Sequence, residues 1–149
     1  MATPDVLAAH HELEYTYTRS TGPVVGTFLA GLRDKRIFGV RASDGRVLVP
    51  PADYDPVTSE TLDRDAMVEV GQEGVVTTWS WCAKPREGQP LDHPFAWVLV
   101  RLDGADTPLL HALDVASPDE IRTGARVRAR WAGERAGSIR DLACFEVVA

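Results

Sequence analysis

From Met67 onward the chain is a succession of short apolar runs closed by turn-forming residues, and no run between them is long enough for a crossover helix. The runs are MVEV with GVVTTWSWC, FAWVLVRLD, LLHALDV, RVRARWAG and IRDLACFEVV. The breaks fall at Lys84 to Pro94, Gly104 to Pro108, Ser117 to Gly124 and Gly133 to Gly137. Several short strands at this spacing, without crossover helices, predict a small β-barrel. Gly71 and Gly74 interrupt the first long run, as expected of a strand that bends sharply at a barrel corner. Ser117 is placed to N-cap a short helix between two late strands. A five-stranded Greek-key barrel with one helical connection is an OB-fold arrangement.

The first part of the chain reads differently. Thr3-Pro4-Asp5 can start a short helix, with Pro4 at the first helical position. Leu13-Glu14-Tyr15-Thr16-Tyr17-Thr18 alternates and favours a strand or an extended arm. Gly22-Pro23 then opens the best helix of the chain, GPVVGTFLAGLRDKR. Val24, Val25, Phe28, Leu29 and Leu32 share one face, and Arg33, Lys35 and Arg36 complement the dipole at its C-terminal end. Arg36 to Val40 and Arg46 to Val49 read as a hairpin joined by Ser43-Asp44-Gly45. Residues 50 to 66 are loop-rich, with one helical turn within SETLDRDA. The expected protein is mainly β, with an N-terminal arm over 1–21, a helix and ribbon hairpin over 22–66, and a five-stranded OB-fold barrel over 67–149.

A chain of 149 residues can bury a core without metal or disulfide. A net charge of −6 argues against unassisted binding to nucleic acid or to an anionic membrane, because both rely on excess Lys and Arg. Cys82 and Cys144 sit in apolar runs and read as small hydrophobes rather than as a disulfide. The N-terminal residues lack the basic start and apolar core of a signal peptide, and no run reaches transmembrane length. These features predict a soluble, cytoplasmic protein.

The stretch RASDGRVLVPPADYDPVT, Arg41 to Thr58, has the punctuation of a metal knuckle: two polar turns around a short apolar run and a Pro-Pro pair. Together with Phe28-Leu29-Ala30-Gly31-Leu32-Arg33-Asp34, Gly45 to Pro51, Gly74 to Ser80, Phe95 to Gly104 and Ile121 to Val127, it resembles the two-part zinc-ribbon/OB-fold accessory family, long catalogued as a domain of unknown function. The matching stretches span about residues 22 to 148. In that family four cysteines hold zinc, and the resemblance places their positions at Arg41, Asp44, Asp55 and Thr58. None of the four is Cys or His, so no zinc is expected; an ion pair of Arg41 with Asp44 or Asp55 is the expected substitute. The resemblance further implies a non-catalytic subunit of a thiolase-fold, lipid-transfer-protein-like aldolase acting on acyl-CoA, of the kind that removes steroid side chains. Such a subunit stabilises its partner and shapes the acyl-CoA channel, without cofactor, in a hetero-oligomer.

His10, His11, Glu12 and Glu14 are neighbours that point in different directions, so a solvated or interface arm is preferred to a metal cluster. Trp79 and Trp81 flank Ser80 on one strand face. Base stacking there would need a basic strip, which is missing, so core packing or a protein interface is preferred. Tyr15, Tyr17, Phe28, Trp79 and Trp81 form the expected partner interface. Lys84, Arg86 and His93, in the loop KPREGQPLDHPF, are the candidates for CoA phosphates, against a flexible surface loop. Arg126, Arg128 and Arg130 alternate and predict a solvated or docking face rather than a phosphate site. His111 has no accompanying nucleophile, and the chain carries no G-x-S-x-G, P-loop or dinucleotide fingerprint. The alternative reading is a free-standing OB-fold module for a small ligand or single-stranded nucleic acid. A hydrolase acting on CoA thioesters comes third.

Overall fold

In the computed structural model, which describes residues 5–149, the sole α-helix among the described residues is α1 (Gly22–Arg33). Pro23 lies in its first turn, where its missing N–H donor costs no helical hydrogen bond. Val24, Phe28 and Leu32 recur every four residues and form the buried stripe. Gly31 brings the helix against the next strand: a Cβ there would stand 2.6 Å from the Phe38 ring. The helix ends in a Schellman closure. Lys35 takes a left-handed backbone (φ 58), while the N–H groups of Arg36 and Lys35 return to the carbonyls of Gly31 and Leu32.

The predicted hairpin is present as β1 (Ile37–Arg41) and β2 (Val47–Leu48), paired antiparallel with Val40 opposite Leu48. The reading of MVEV as the first half of a barrel strand is corrected. These residues form β3 (Met67–Val70), which pairs with β1 (Phe38 opposite Glu69) in a three-stranded sheet of order β2-β1-β3. Period-two patterning cannot say which sheet a strand joins, and the interruption at Gly71 separates β3 from the next strand. The barrel comprises β4 (Glu73–Cys82), β5 (Phe95–Leu102), β6 (Leu109–Leu113), β7 (Arg126–Trp131) and β8 (Leu142–Val147). It closes in the order β4-β5-β6-β8-β7, with β7 returning to β4, and β6–β8 is the parallel pair. That is the expected OB arrangement. Gly74 is tied to the close approach of β5, since a Cβ would run into the Arg101 carbonyl. The register shift in β4 falls between Val76 and Thr78, where Thr77 turns its hydroxyl to the Leu99 carbonyl. Ser117 caps a single 3₁₀ turn (Pro118–Glu120) before β7, and Ile139–Asp141 is a 3₁₀ turn before β8 rather than part of the strand.

One apolar cluster runs from α1 through the ribbon into the barrel, joining Phe28, Leu32, Ile37 and Val49 to Val76, Val98, Leu113 and Phe145. The β2 edge is also bonded to the β5–β6 turn: Val47 N–H to Asp106 at 2.8 Å and Val49 N–H to Thr107 at 2.7 Å. Ribbon and barrel therefore share a core and a hydrogen-bonded seam. Residues 13–18 take the arm alternative, exposed and without regular structure. The helix start proposed at Thr3-Pro4 lies outside the described residues. Phe28 is 5% exposed inside the shared core, which withdraws it from the surface where an interface was expected. Its place on the α1 stripe, read only as apolar, points inward because the ribbon covers that face. Truncating Phe28 to Ala should lower the unfolding free energy of the isolated chain by about 3–5 kcal/mol in urea titrations; a surface anchor would lose far less.

Candidate functional site

At the two turns that the resemblance assigns to metal ligands, an arginine sits between two carboxylates. Arg46 Nε lies 2.6 Å from Asp44 Oδ2, and its Nη2 lies 2.7 Å from Asp55 Oδ2. The Asp55 side chain is fully buried, and its other oxygen accepts the Val57 N–H at 2.8 Å. The Val57 amide and the Arg46 ion pair together hold the Asp55 carboxyl below its usual range, despite burial. The hydrogen bond from Arg46 does the same for Asp44. The predicted ion pair thus exists with a different cation. Arg41 instead donates to the Gly45 carbonyl at 3.2 Å, and the Thr58 hydroxyl accepts the Glu60 N–H at 3.3 Å. A donor set of two engaged carboxylates, a hydroxyl and a guanidinium does not fit tetrahedral zinc. Arg46 follows Asp44 at i+2, a spacing visible in the sequence but passed over because Arg41 occupied a ligand position.

The arginine ladder on β7 is likewise spoken for. Arg126 makes a two-pronged bond to Asp103 at 2.8 Å and reaches Glu73 at 3.0 Å; Arg128 pairs with Glu146 at 2.8 Å and Arg130 with Asp114 at 2.6 Å. These pairs stitch β7 to its neighbours and balance its charge, while the arginine side chains stay exposed along the strand.

The β4–β5 loop carries Lys84, Arg86 and His93, all exposed. Gln89 organises it by accepting the Arg86 N–H at 2.8 Å. His93 is drawn toward the barrel, its Nε2 3.5 Å from Asp114. The structure therefore places Lys84 and Arg86 on one loop and turns His93 to a carboxylate. Beside this loop lies a cleft of about 540 Å³ between the outer faces of β5 and β6 and the β7–β8 connection. Trp97, Leu110, Ile139 and Leu142 give it apolar walls, and Arg140 is the charged residue at its edge. None of these was singled out from sequence. Trp97 and Leu110 fall on outward positions of otherwise buried strands, the signal that could have found them.

His111 lies at this cleft, 4% exposed, with Nδ1 accepting the Ala112 N–H at 2.8 Å and its ring edge-on to Phe145. Burial lowers its pKa, partly offset by hydrogen bonding to backbone at Ile139, Leu142 and Ala112. It is packed as a core residue. Cys144 is buried beside Phe95 and Ala112, and burial pushes its thiol up to about 11, away from nucleophilic use. Tyr15 and Tyr17 stand 74% and 80% exposed on the arm. Trp79 is at the surface, whereas Trp81 packs against the main core. His10, His11, Glu12 and Glu14 lie along the exposed arm, and no three His, Cys, Asp or Glu side chains converge among the described residues.

These features define a helix-and-ribbon unit fused to an OB barrel, with an ion-pair clasp joining the two ribbon turns. Residues 67–132 match the family model described as ChsH2, C-terminal OB-fold domain. No curated protein matches the chain. Among solved structures, the chain is similar to a DUF35-family protein of unknown function from Sulfolobus solfataricus, with 22% identity, 85% of each chain covered and a TM-score of 0.61. It is also similar to the Ltp2-ChsH2(DUF35) aldolase, with 20% identity, 81% of this chain and 90% of that chain covered, and a TM-score of 0.58. At these identities the likeness speaks for the fold, and it extends over helix, ribbon and barrel together. The resemblance read from the order of motifs therefore holds.

Among the described residues, no helix is long and apolar enough to cross a membrane.

Burial of neutral His111 has a pH consequence. Its folded pKa lies below the ordinary 6.5, so the unfolded chain takes up the proton first. Stability is complete above about 6.5 and declines as pH falls toward the folded value, by at most about 1.4 kcal/mol per pH unit. The Asp44 and Asp55 contributions are lost in a separate window, below 3.8. Thermal melts from pH 8 to pH 4.5 should show the first decline in the parent chain and a flatter profile in His111→Gln.

Proposed function

We propose that this chain is a non-catalytic accessory subunit of a thiolase-fold aldolase that cleaves carbon–carbon bonds in acyl-CoA substrates, including steroid side-chain degradation. The observation that carries this reading is the likeness to the Ltp2-ChsH2(DUF35) aldolase across 81% of this chain. The exposed arm supports it. Val6, Leu7, Leu13, Tyr15 and Tyr17 are all more than half exposed, apolar surface of the kind that a partner covers. Trp79 extends the candidate interface onto β4. Lys84 and Arg86, on the exposed loop beside the cleft, are the groups proposed to meet the phosphates of CoA shared with the partner. His93 joins them if it exchanges Asp114 for phosphate. The subunit stabilises the aldolase and shapes its acyl-CoA channel in the cytoplasm. It does so without zinc, because the clasp of Asp44, Arg46 and Asp55 holds the two turns that a metal would join.

Co-expression of the tagged chain with an untagged thiolase-fold protein encoded beside it tests this reading. Stoichiometric recovery of both subunits is the expected result, with retro-aldol activity confined to the complex. Recovery of the folded chain alone would refute it.

A further inference from the structure

OB barrels take their ligands on the face of their second and third strands, between the loop joining strands one and two and the loop joining strands four and five. In this molecule that place is the cleft flanked by β5, β6, the β4–β5 loop and the β7–β8 connection. Its volume, about 540 Å³, is that of a small-molecule site. The barrel leaves Leu110 56% and Ile139 44% exposed at this spot, next to the half-buried Trp97. Gln89 pins the loop side of the cleft through the Arg86 N–H, so that edge is built in advance of any ligand.

The charge pattern narrows the ligand. Arg126, Arg128 and Arg130 are all paired with carboxylates. Arg140, by contrast, uses only its backbone N–H, toward Ser138; among the described residues its guanidinium has neither ion pair nor hydrogen bond. It is the one arginine or lysine lining a mostly apolar cleft, whose other polar side chains are Gln89 and His111. His111 is buried and its Nδ1 is taken by the Ala112 amide, so it adds no competing charge. A single cation beside apolar and aromatic walls suits an amphipathic monoanion. An oligonucleotide backbone would need a row of cations along its track.

We infer that the OB cleft binds a small amphipathic carboxylate, its apolar body against Trp97, Leu110 and Ile139 and its anionic group on Arg140. The site belongs to this chain alone and does not depend on the aldolase partnership.

The test uses the isolated full chain and a matched pair of probes, 2-naphthoate and 2-naphthylmethanol, titrated by calorimetry with tryptophan quenching in parallel. The expected result is saturable one-to-one binding of naphthoate, roughly tenfold tighter than the neutral alcohol, as for a charge-assisted hydrogen bond. Arg140→Gln should erase the difference between the probes, and Leu110→Glu should abolish binding of both. Both positions are exposed, so circular dichroism should show unchanged folding. Arg122→Gln, exposed on the β6–β7 connection, should leave the preference intact. Absence of saturable naphthoate binding, or a preference that survives Arg140→Gln, would overturn the inference. Either result leaves co-purification with an aldolase unaffected.

Discussion

The clasp formed by Asp44, Arg46 and Asp55 joins the two turns on which the N-terminal half is organised. Asp44 and Arg46 belong to the β1–β2 turn. Asp55 begins the second turn, where its carbonyl accepts the Ser59 N–H and its own N–H goes to the Glu60 carbonyl. A charged group as buried as Asp55 is stable only when paired and fully hydrogen-bonded, and here the Arg46 ion pair and the Val57 amide supply both conditions. With the turns fixed, β2 is held at the right height to bond Asp106 and Thr107 of the barrel. The ribbon then covers the apolar stripe of α1. Mechanically the arginine ties one turn to the other.

The molecule carries net negative charge, yet its arginines on β7 are spent internally, on Asp103, Glu73, Asp114 and Glu146. Exposed apolar side chains remain for recognition on the arm, with Tyr15 and Tyr17, and at the cleft beside Arg140. Apolar surface with few charges suits a protein partner and a small ligand better than it suits nucleic acid.

The barrel was legible because its strands are short apolar runs bounded by turn residues, with FAWVLVRL buried along most of its length and RVRARW starting as a polar–apolar alternation. The helix was legible through Val24, Phe28 and Leu32. Pairing was not. MVEV has the pattern of any edge strand, and its choice of β1 over the barrel depends on non-local contacts with Ile37 to Val40. Phe28 was misplaced for the same reason: an apolar stripe predicts burial without saying by what. The cleft was missed because its walls come from four separated segments that only the closed barrel brings together. The clasp was half seen; charge replacing metal was expected, but loop geometry chose Arg46 over Arg41.

Arg46 and Asp55 act as one structural unit. The most direct test is a double-mutant cycle, with Arg46→Met and Asp55→Asn made singly and together and unfolding measured in urea at neutral pH. Strong non-additivity is the predicted result. Arg46→Met alone strands a buried carboxylate and is the most destabilising, while the double variant recovers to about the level of Asp55→Asn. Losses that simply add would mean that the two side chains stabilise the ribbon independently, and would contradict the clasp.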